Sequence, residues 1–228
     1  MSSSDGRKFT VFIRANDIKR IFSWVMKHPN LETGGDVFGL WEKSHNSLEN
    51  ILHIHYIIGP GQLCRRTTFS FHQDVRYASQ MEDYFHRNHG MEHVALWHSH
   101  QSGLDRPSAD DKIMVWETMP SHDINRFVLI IASIADSSTE SENAAVSLKC
   151  FLFEIDDKTE ECLPVLLGKF RVLTAEETEQ THRFDLHDVE LEAGAEFLIA
   201  DEDLALFEIT ETETSVIGYR KREKNTGP

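Results

Sequence analysis

The first part of the chain changes from the apolar pattern of a strand to that of a helix. Residues 9–14 alternate in the manner of a strand with one buried face. The next apolar residues recur every three or four positions, which predicts an amphipathic helix: Ile18, Ile21, Phe22 and Val25. We expect Asn16 or Asp17 to cap the start of this helix, and the Pro-Asn pair at 29–30 to end it.

Two strands and a second helix are predicted next. Two glycines at 34–35 lead into a strand at 36–41, and a longer strand follows at 51–58. In the longer strand the alternation places four apolar side chains on one face: Leu52, Ile54, Tyr56 and Ile58. After a Gly-Pro-Gly loop, residues 67–71 predict a short extended segment, and residues 74–87 predict a helix that Asn-His-Gly ends.

The middle of the chain continues this alternation. Residues 94–100 predict a strand, and residues 108–118 predict the helix after it. Residues 127–135 are apolar almost throughout, which is typical of a strand covered on both faces. Residues 136–143 are polar and Ser-rich and predict a turn or loop. Two further strands are expected at 146–155 and 164–172.

The composition changes after Thr174. Residues 175–213 are dense in Asp and Glu and contain apolar islands at 197–199 and 204–209. These islands are either strands of a small ordered appendage, which we favour, or a segment that orders on binding a partner. Residues 221–228 form a short basic tail that we expect to be frayed.

The length of the chain indicates how many domains it forms, and its net charge argues against one class of function. A chain of 228 residues with 40% hydrophobic content suits one α/β domain with an appendage. The net charge of −15 argues against a nucleic-acid-binding protein, although Arg65, Arg66 and Lys112 are candidates for a local basic patch.

The cysteines and the apolar runs of the sequence indicate the cellular compartment in which we expect the protein. Three irregularly spaced cysteines, Cys64, Cys150 and Cys162, are expected to be free thiols in a reducing compartment. No apolar leader is visible at the N-terminus, and the longest apolar run is too short to cross a bilayer. We therefore expect a cytoplasmic protein that does not bind membranes.

The candidate chemistry lies in a His-x-His pair followed by Ser-x-x-Asp. His98 and His100 are two positions apart, so on a strand both side chains project from one face. Ser108 and Asp111 lie where the next helix is predicted to begin. Two imidazoles and one carboxylate leave the fourth tetrahedral position of a zinc ion open, as in hydrolytic zinc sites.

Each half of this pattern also has a structural interpretation. Ser108-x-x-Asp111 is a capping box, and His98 and His100 taken alone are more often ordinary strand residues. The combination favours a metal site, because Glu32 upstream supplies the carboxylate that such a site needs as a general base.

Other histidines show how little His-x-His means by itself. His53 and His55 have the same spacing but no following Ser-x-x-Asp, and we assign them to a solvated strand face. His86, His89 and His93 cluster around a predicted helix end, where a capping role is favoured over metal binding.

The five candidate positions resemble a known family motif. They match the JAMM motif of the JAB/MPN metalloproteases without a gap: Glu32, His98, His100, Ser108 and Asp111. Trp97 before the first histidine and the glycines after Glu32 also fit the family pattern. Residues 66–71 with the following helix look like the equivalent segment of the prokaryotic-type JAB branch.

The resemblance implies a fold and a division of the chain. The fold would be a JAB/MPN-like α/β (α+β) fold, a mixed sheet flanked by helices, with a small acidic C-terminal appendage. Residues 1–7 would be a flexible N-terminus, residues 8–173 the metalloprotease domain and residues 174–228 the acidic extension.

It also implies roles for the site residues. His98, His100 and Asp111 would bind one catalytic zinc ion, with Glu32 as general acid/base and Ser108 stabilising the oxyanion. Family members cut peptide or isopeptide bonds after the C-terminal glycine of ubiquitin or ubiquitin-like proteins, so these proteins and their conjugates are the expected partners. The substrate tail is expected to pair along an edge of the strand near Asp36. Candidate substrate contacts in and near that groove are Phe38, Trp41, Gln101 and the rest of the 101–106 loop.

Departures and alternatives remain open at this point. Gln101 stands where many members have proline, and no Cys/His set for a second zinc follows Asp111, so a preference for one ubiquitin linkage is not implied. One alternative is an enzyme that releases small conjugates from the tail of a sulfur-carrier protein. Another is an MPN scaffold without catalytic activity. A DNA-repair branch that shares the motif is disfavoured by the negative charge.

Overall fold

A computed structural model describes residues 6–42, 48–101, 103–134, 145–156, 158–174, 177 and 186–221. The strands are β1 (Lys8–Arg14), β2 (Gly34–Trp41), β3 (Glu49–Ile57), β4 (Arg65–Arg66), β5 (Phe71–His72), β6 (Glu92–His100), β7 (Arg126–Ile134), β8 (Ala145–Glu154), β9 (Leu166–Leu167), β10 (Lys169–Leu173), β11 (Phe207–Glu211) and β12 (Val216–Arg220). The helices are α1 (Ala15–Lys27), α2 (Val75–His89), α3 (Ala109–Ser121), α4 (His187–Ala193) and α5 (Asp201–Leu204).

Ten strands form one mixed sheet. Its order is β10-β1-β3-β2-β6-β7-β8-β12-β11, with β9 paired to β8 beside this path. The pairs of β1 with β10, β1 with β3 and β6 with β7 are parallel, and the other pairs are antiparallel. The expected α/β architecture with a mixed sheet and flanking helices is confirmed.

Helices cover both faces of this sheet. The largest core cluster joins α1 to one face, whereas α2 and α3 contribute to two separate clusters on the other face. Strand β7 shows the division, because Val128 and Ile130 belong to the first cluster and Leu129 and Ile131 to the cluster under α3. The expected strand with two buried faces is thereby confirmed over Arg126–Ile134.

The start of α1 differs from the prediction. Neither Asn16 nor Asp17 caps it: the N-cap position is Arg14, which makes no side-chain capping bond. The chain passes directly from β1 into the helix, so Asp17 already lies in the first turn. There the Asp17 carboxylate is buried and accepts a hydrogen bond of 2.7 Å from Arg14 Nε.

The predicted single apolar face of β3 is wrong. Leu52 and Ile54 belong to the cluster under α1, whereas Tyr56 belongs to the cluster under α2. The pairing with β2 is irregular here, because Phe38 lies opposite Tyr56 but the next residue, Gly39, lies opposite Ile54. One extra residue in β3 therefore moves the following side chains to the other face of the sheet.

The segment predicted to be extended at 67–71 is instead the turn of a hairpin. Strands β4 and β5 pair antiparallel, and Thr67 N donates to Ser70 O at 2.8 Å. The helix predicted at 74–87 is confirmed as α2, which begins after Asp74, whose carboxylate caps it. It continues to His89 and ends at Gly90, in the left-handed conformation, within the Asn-His-Gly segment expected to end it.

The described part of the C-terminal extension is ordered and continues the main sheet. Strand β12 pairs with β8, and Phe207 and Val216 are buried in the largest core cluster. Helix α4 contacts α2, with Leu186 buried in the cluster beneath that helix. The extension therefore shares its core with residues 8–173 rather than forming a core of its own.

Some predictions fall outside the described residues. These are Ala135 with the loop at 136–143, residues 1–5 of the N-terminus and residues 222–228 of the tail. Among the described helices, none combines the length and the apolar character that crossing a membrane requires.

Candidate metal centre

Strand β6 places two imidazoles on one face at its C-terminal end. His98 and His100 are its alternate residues, and Nε2 of one lies 2.8 Å from Nε2 of the other. Their side chains are 12% and 6% exposed. The spacing of the His-x-His pair on a strand therefore brings both rings to one point, as the sequence predicts.

Helix α3 brings a carboxylate to the same point. Ser108 is its N-cap, and the reciprocal capping box is present: Asp111 N donates to Ser108 Oγ at 3.1 Å and Ser108 N donates to Asp111 Oδ2 at 2.7 Å. Asp111 Oδ1 lies 3.3 Å from His98 Nε2, and Asp111 Oδ2 lies 3.3 Å from His100 Nε2. Asp111 thus caps the helix and faces both histidines at once.

In this cluster, Asp111 and His100 shift each other's pKa. Burial by itself would raise the pKa of Asp111, but hydrogen bonds from His100 and His98 hold it far below its ordinary value. Burial would lower the pKa of His100, and its contacts with Asp111 raise it instead. Asp111 is therefore an anion beside the two rings.

The three donor groups fit a zinc ion. Their ligand atoms all lie within 4.8 Å of one another. His100 Nδ1 lies 3.2 Å from Leu104 O, and a ring that donates there presents the lone pair of Nε2 to the cluster. Two imidazole nitrogens and a carboxylate oxygen are a donor set that Zn²⁺ prefers, with a fourth position left for water.

Glu32 is held beside this cluster by its backbone. Its N–H donates to Thr67 O at 2.9 Å. The next residue, Thr33, donates its N–H to Ser99 Oγ at 2.9 Å and accepts the N–H of Ser99 at 2.7 Å. Because Ser99 lies between the two histidines, the segment that carries Glu32 is bonded directly to the strand that carries both imidazoles.

The carboxyl group of Glu32 has the electrostatics of a general base. Burial raises its pKa, the two histidines of the cluster lower it, and the Asp111 carboxylate adds to the increase. A carboxylate with a raised pKa holds a proton more readily near neutral pH, as a group that accepts and returns one requires.

The glycines after Glu32 let the backbones approach closely. A Cβ atom on Gly34 would lie 2.5 Å from Trp97 O, and one on Gly35 would lie 2.1 Å from Ile58 O. Both contacts are with backbone atoms of neighbouring strands, so any larger residue would force β2 away from β6 or β3. The glycines thereby keep Glu32 next to the histidines.

Comparison with known families agrees with this geometry. The family model described as prokaryotic homologs of the JAB domain matches residues 15–149, more than half of the chain. The chain belongs to the JAB domain family. A comparison with curated proteins gives no match to this sequence. The family includes metalloisopeptidases and also inactive members.

The cluster of this JAB domain opens into a long groove between α2 and α3. The groove has a volume of about 1770 Å³ and is lined by residues of both helices and by Glu32, His98, Ser108 and Asp111. Asp36, His93 and Leu96 form part of its floor, and Trp41 lines it at the end of β2 distant from the cluster.

The three predicted substrate contacts have different surroundings in the structure. Trp41 lines the groove. Phe38 is 1% exposed and stacks on Phe85 in the core under α2, so its ring does not face the groove. Gln101 donates from Nε2 to Thr68 O at 3.3 Å, which joins the loop after β6 to the hairpin turn.

The expected edge pairing near Asp36 is wrong. That residue lies in β2, and β2 is bonded to β3 on one side and to β6 on the other. Both backbone edges are used, so a substrate tail in the groove would have to lie across the face of the sheet.

His93 has a role that the sequence pattern does not indicate. It lies in β6 rather than at a helix end, and its Nε2 is 3.3 Å from Asp36 Oδ1. His86 and His89 do lie in the last turn of α2, as expected. The pairing between β2 and β6 shifts by one residue next to His93, and this shift turns the ring to the face of the metal cluster.

The other His-x-His pair serves as an internal comparison. His53 Nε2 lies 2.8 Å from Glu42 Oε2 near the surface. Within the described ranges, three converging ligand atoms are found at His98, His100 and Asp111 and not at His53 and His55.

Proposed function

We propose that this JAB domain protein is a zinc-dependent peptidase that cleaves after the C-terminal glycine of ubiquitin or a ubiquitin-like protein. The observation that carries the proposal is the convergence of His98, His100 and Asp111 in one groove with the half-buried carboxyl group of Glu32. An inactive scaffold would not need to keep all of these groups together.

Each residue then has a definite task. His98, His100 and Asp111 would hold a zinc ion, which when bound lowers the pKa of a water molecule and polarises the scissile carbonyl. Glu32 would take the proton of the attacking water and return it to the leaving amine. The Ser108 hydroxyl accepts the N–H of Asp111, so its own hydrogen can be donated to the oxygen that becomes negatively charged.

The groove supports a peptide tail as substrate. It is an open channel rather than a small closed pocket, and it runs from the cluster along the sheet between two helices. A tail that ends in glycine suits the region next to the cluster, because a residue without a side chain passes most easily between closely packed elements. A small conjugate would fill only part of this channel.

The first test combines metal content with cleavage. We expect stoichiometric zinc by elemental analysis and cleavage of a ubiquitin-like fusion by the purified protein. Glu32→Ala should keep the zinc and lose cleavage, because it removes the proton carrier and leaves the three ligands. His98→Ala should lose both.

The chain offers a matched control for the histidine substitution. His53→Ala changes the other His-x-His pair, which forms no group of three converging ligand atoms among the described residues, and should keep both zinc and cleavage. Absence of zinc from the unchanged protein would contradict the proposal and favour a scaffold. Cleavage restricted to short conjugates on a sulfur-carrier tail would favour the small-conjugate enzyme.

A further inference from the structure

Three contacts connect the C-terminal extension to the backbone at Glu32. Glu196 Oε2 lies 2.5 Å from Arg66 Nη2. Nε of the same arginine donates to Thr33 Oγ1 at 3.3 Å. Arg66 and Thr67 are consecutive, and Thr67 O accepts the N–H of Glu32. The extension is therefore connected, through Arg66 and Thr67, to Glu32 and to the residue after it.

The ion pair in this connection is largely withdrawn from water. The side chains of Arg66 and Glu196 are 10% and 20% exposed, and Thr33 is fully buried. His28 Nε2 is the other nearby basic group, at 3.7 Å from Glu196 Oε1. An arginine in this setting needs its carboxylate, because a buried charge without its partner is strongly unfavourable.

The extension is itself anchored at this point. Gln62 N donates to Gly194 O at 3.0 Å, and Gln62 Nε2 donates to Ala195 O at 3.1 Å. In α4, the buried carboxylate of Glu190 accepts hydrogen bonds from Tyr56 at 2.9 Å and from Tyr77 at 3.3 Å. Residue 196 is therefore held in place on the main domain when it contacts Arg66.

We propose that Glu196 and Arg66 are positioning residues that hold Glu32 in its working place beside the metal cluster. Glu196 holds the guanidinium group of Arg66 in place, and this group holds the side chain of Thr33. Thr67, the residue after Arg66, accepts the backbone N–H of Glu32. The proposal rests on the proposed function for the role of Glu32. Glu196 lies outside the residues that the family model matches, so this device belongs to the extension of this chain.

A purely structural ion pair would behave differently. Loss of such a pair would lower the stability of the protein. Every property that depends on the folded state, including zinc binding, would fall with it. A positioning pair acts on the proton transfer that Glu32 carries out, so it changes kcat while KM and zinc affinity stay the same.

The test compares Glu196→Gln with Glu192→Gln. Both substitutions remove one charge from the same extension, but Glu192 is exposed on α4. In Glu196→Gln we expect kcat for the ubiquitin-like fusion to fall by about 10- to 100-fold, since displacement of a catalytic group by about 1 Å has effects of that size. KM and zinc affinity, measured by competition with a chelator, should match those of Glu192→Gln.

A second measurement needs neither substrate nor metal. Hydrogen exchange at the Glu32 amide in the zinc-free protein should be about tenfold faster in Glu196→Gln than in Glu192→Gln, because the Thr67 acceptor is less firmly held. In an Arg66→Ala background, adding Glu196→Gln should change neither kcat nor this exchange rate further, because the connection is already broken.

The outcomes separate the two proposals. If the unchanged protein binds no zinc or cleaves nothing, the proposed function fails, and the exchange rate alone decides whether Glu196 holds the Glu32 segment. Exchange and kcat equal to those of Glu192→Gln would overturn the positioning proposal. So would a fall in kcat that is matched by an equal loss of zinc affinity.

Discussion

At the scale of single residues, one side chain here often satisfies two requirements. Asp111 closes the capping box of α3 and also faces both histidines. The capping interpretation of Ser-x-x-Asp is therefore confirmed, and the same carboxylate lies where the metal-site interpretation needs it. The two roles can be separated only by changing the charge while keeping the shape.

The substitution Asp111→Asn separates the capping role of Asp111 from its proposed role as a metal ligand. Its amide oxygen can still accept the Ser108 N–H, so the capping bond at the start of α3 should be kept. Loss of the anionic ligand should weaken zinc binding by more than about 100-fold, because changes in groups that only support a ligand already cost 10- to 100-fold. The measurement is chelator competition, with Asp110→Asn as control because Asp110 is exposed in the same helical turn. Equal zinc affinity in the two variants would remove Asp111 from the ligand set.

His93 predicts a pH-dependent contribution to stability. Burial disfavours the charged ring, but the Asp36 carboxylate outweighs this effect and raises the pKa of His93. The stabilisation by this pair is therefore complete below the unfolded pKa of about 6.5 and is lost as the pH rises through the higher folded pKa.

Asp36→Asn tests this prediction through the free energy of unfolding. The variant should be less stable than the unchanged protein by about 1 kcal/mol at low pH, since each unit by which Asp36 raises the pKa of His93 corresponds to about 1.4 kcal/mol. The difference should shrink as the pH rises past the pKa of His93. A difference that stays constant from pH 5.5 to 9 would show that the ring is not charged in this contact.

At the scale of elements, several local patterns predict the observed structure, although the expected cap of α1 at Asn16 or Asp17 is wrong. The capping signals at Asp74 and Ser108 and the doubly buried β7 follow from nearby residues alone. The face change in β3 and the turned ring of His93 depend on irregular pairing with β2, which is a contact between distant parts of the chain. No local pattern encodes such a shift, so neither could be predicted.

The loop between β6 and α3 contacts one of the proposed metal ligands and is itself bonded to β8. Lys149 of β8 forms an ion pair with Asp105, and this hydrogen bond lowers the pKa of the Asp105 carboxyl. The adjacent Leu104 carbonyl contacts His100 Nδ1. Release of the loop should therefore disturb the orientation of one ligand.

Lys149→Ala should weaken zinc binding by about fivefold, the equivalent of the roughly 1 kcal/mol that a partly exposed ion pair contributes at most. Competition with a chelator measures this change. Lys169→Ala, at an exposed lysine of β10, is the control and should bind zinc like the unchanged protein. If the two variants bind zinc equally, the loop holds His100 without help from β8.

At the scale of the whole molecule, the main question is how the acidic extension relates to the domain before it. Its composition suggests a separate appendage, because charge density changes abruptly after Thr174. Composition does not reveal that Phe207 and Val216 fill the core under α1 or that β12 extends the sheet beyond β8. Those are again pairings between distant segments.

A shared core predicts that both parts unfold together. All four tryptophans lie in residues 8–173, so tryptophan fluorescence follows mainly that part, although Trp24 also packs near Phe197 of the extension, with ring centroids 6.4 Å apart. Phe207 packs near Phe22 of α1, with ring centroids 6.2 Å apart, and is 7% exposed. Phe207→Ala should therefore lower the free energy of unfolding measured by tryptophan fluorescence by about 3–5 kcal/mol.

Glu208→Ala is the control at the neighbouring exposed position of β11 and should change this free energy by less than about 0.5 kcal/mol. If the extension were an independent unit, Phe207→Ala would leave the tryptophan transition in place and shift only a second transition seen by circular dichroism. A single transition that moves equally for both probes is the expected result, because the unfolding of one core exposes residues from both parts of the chain.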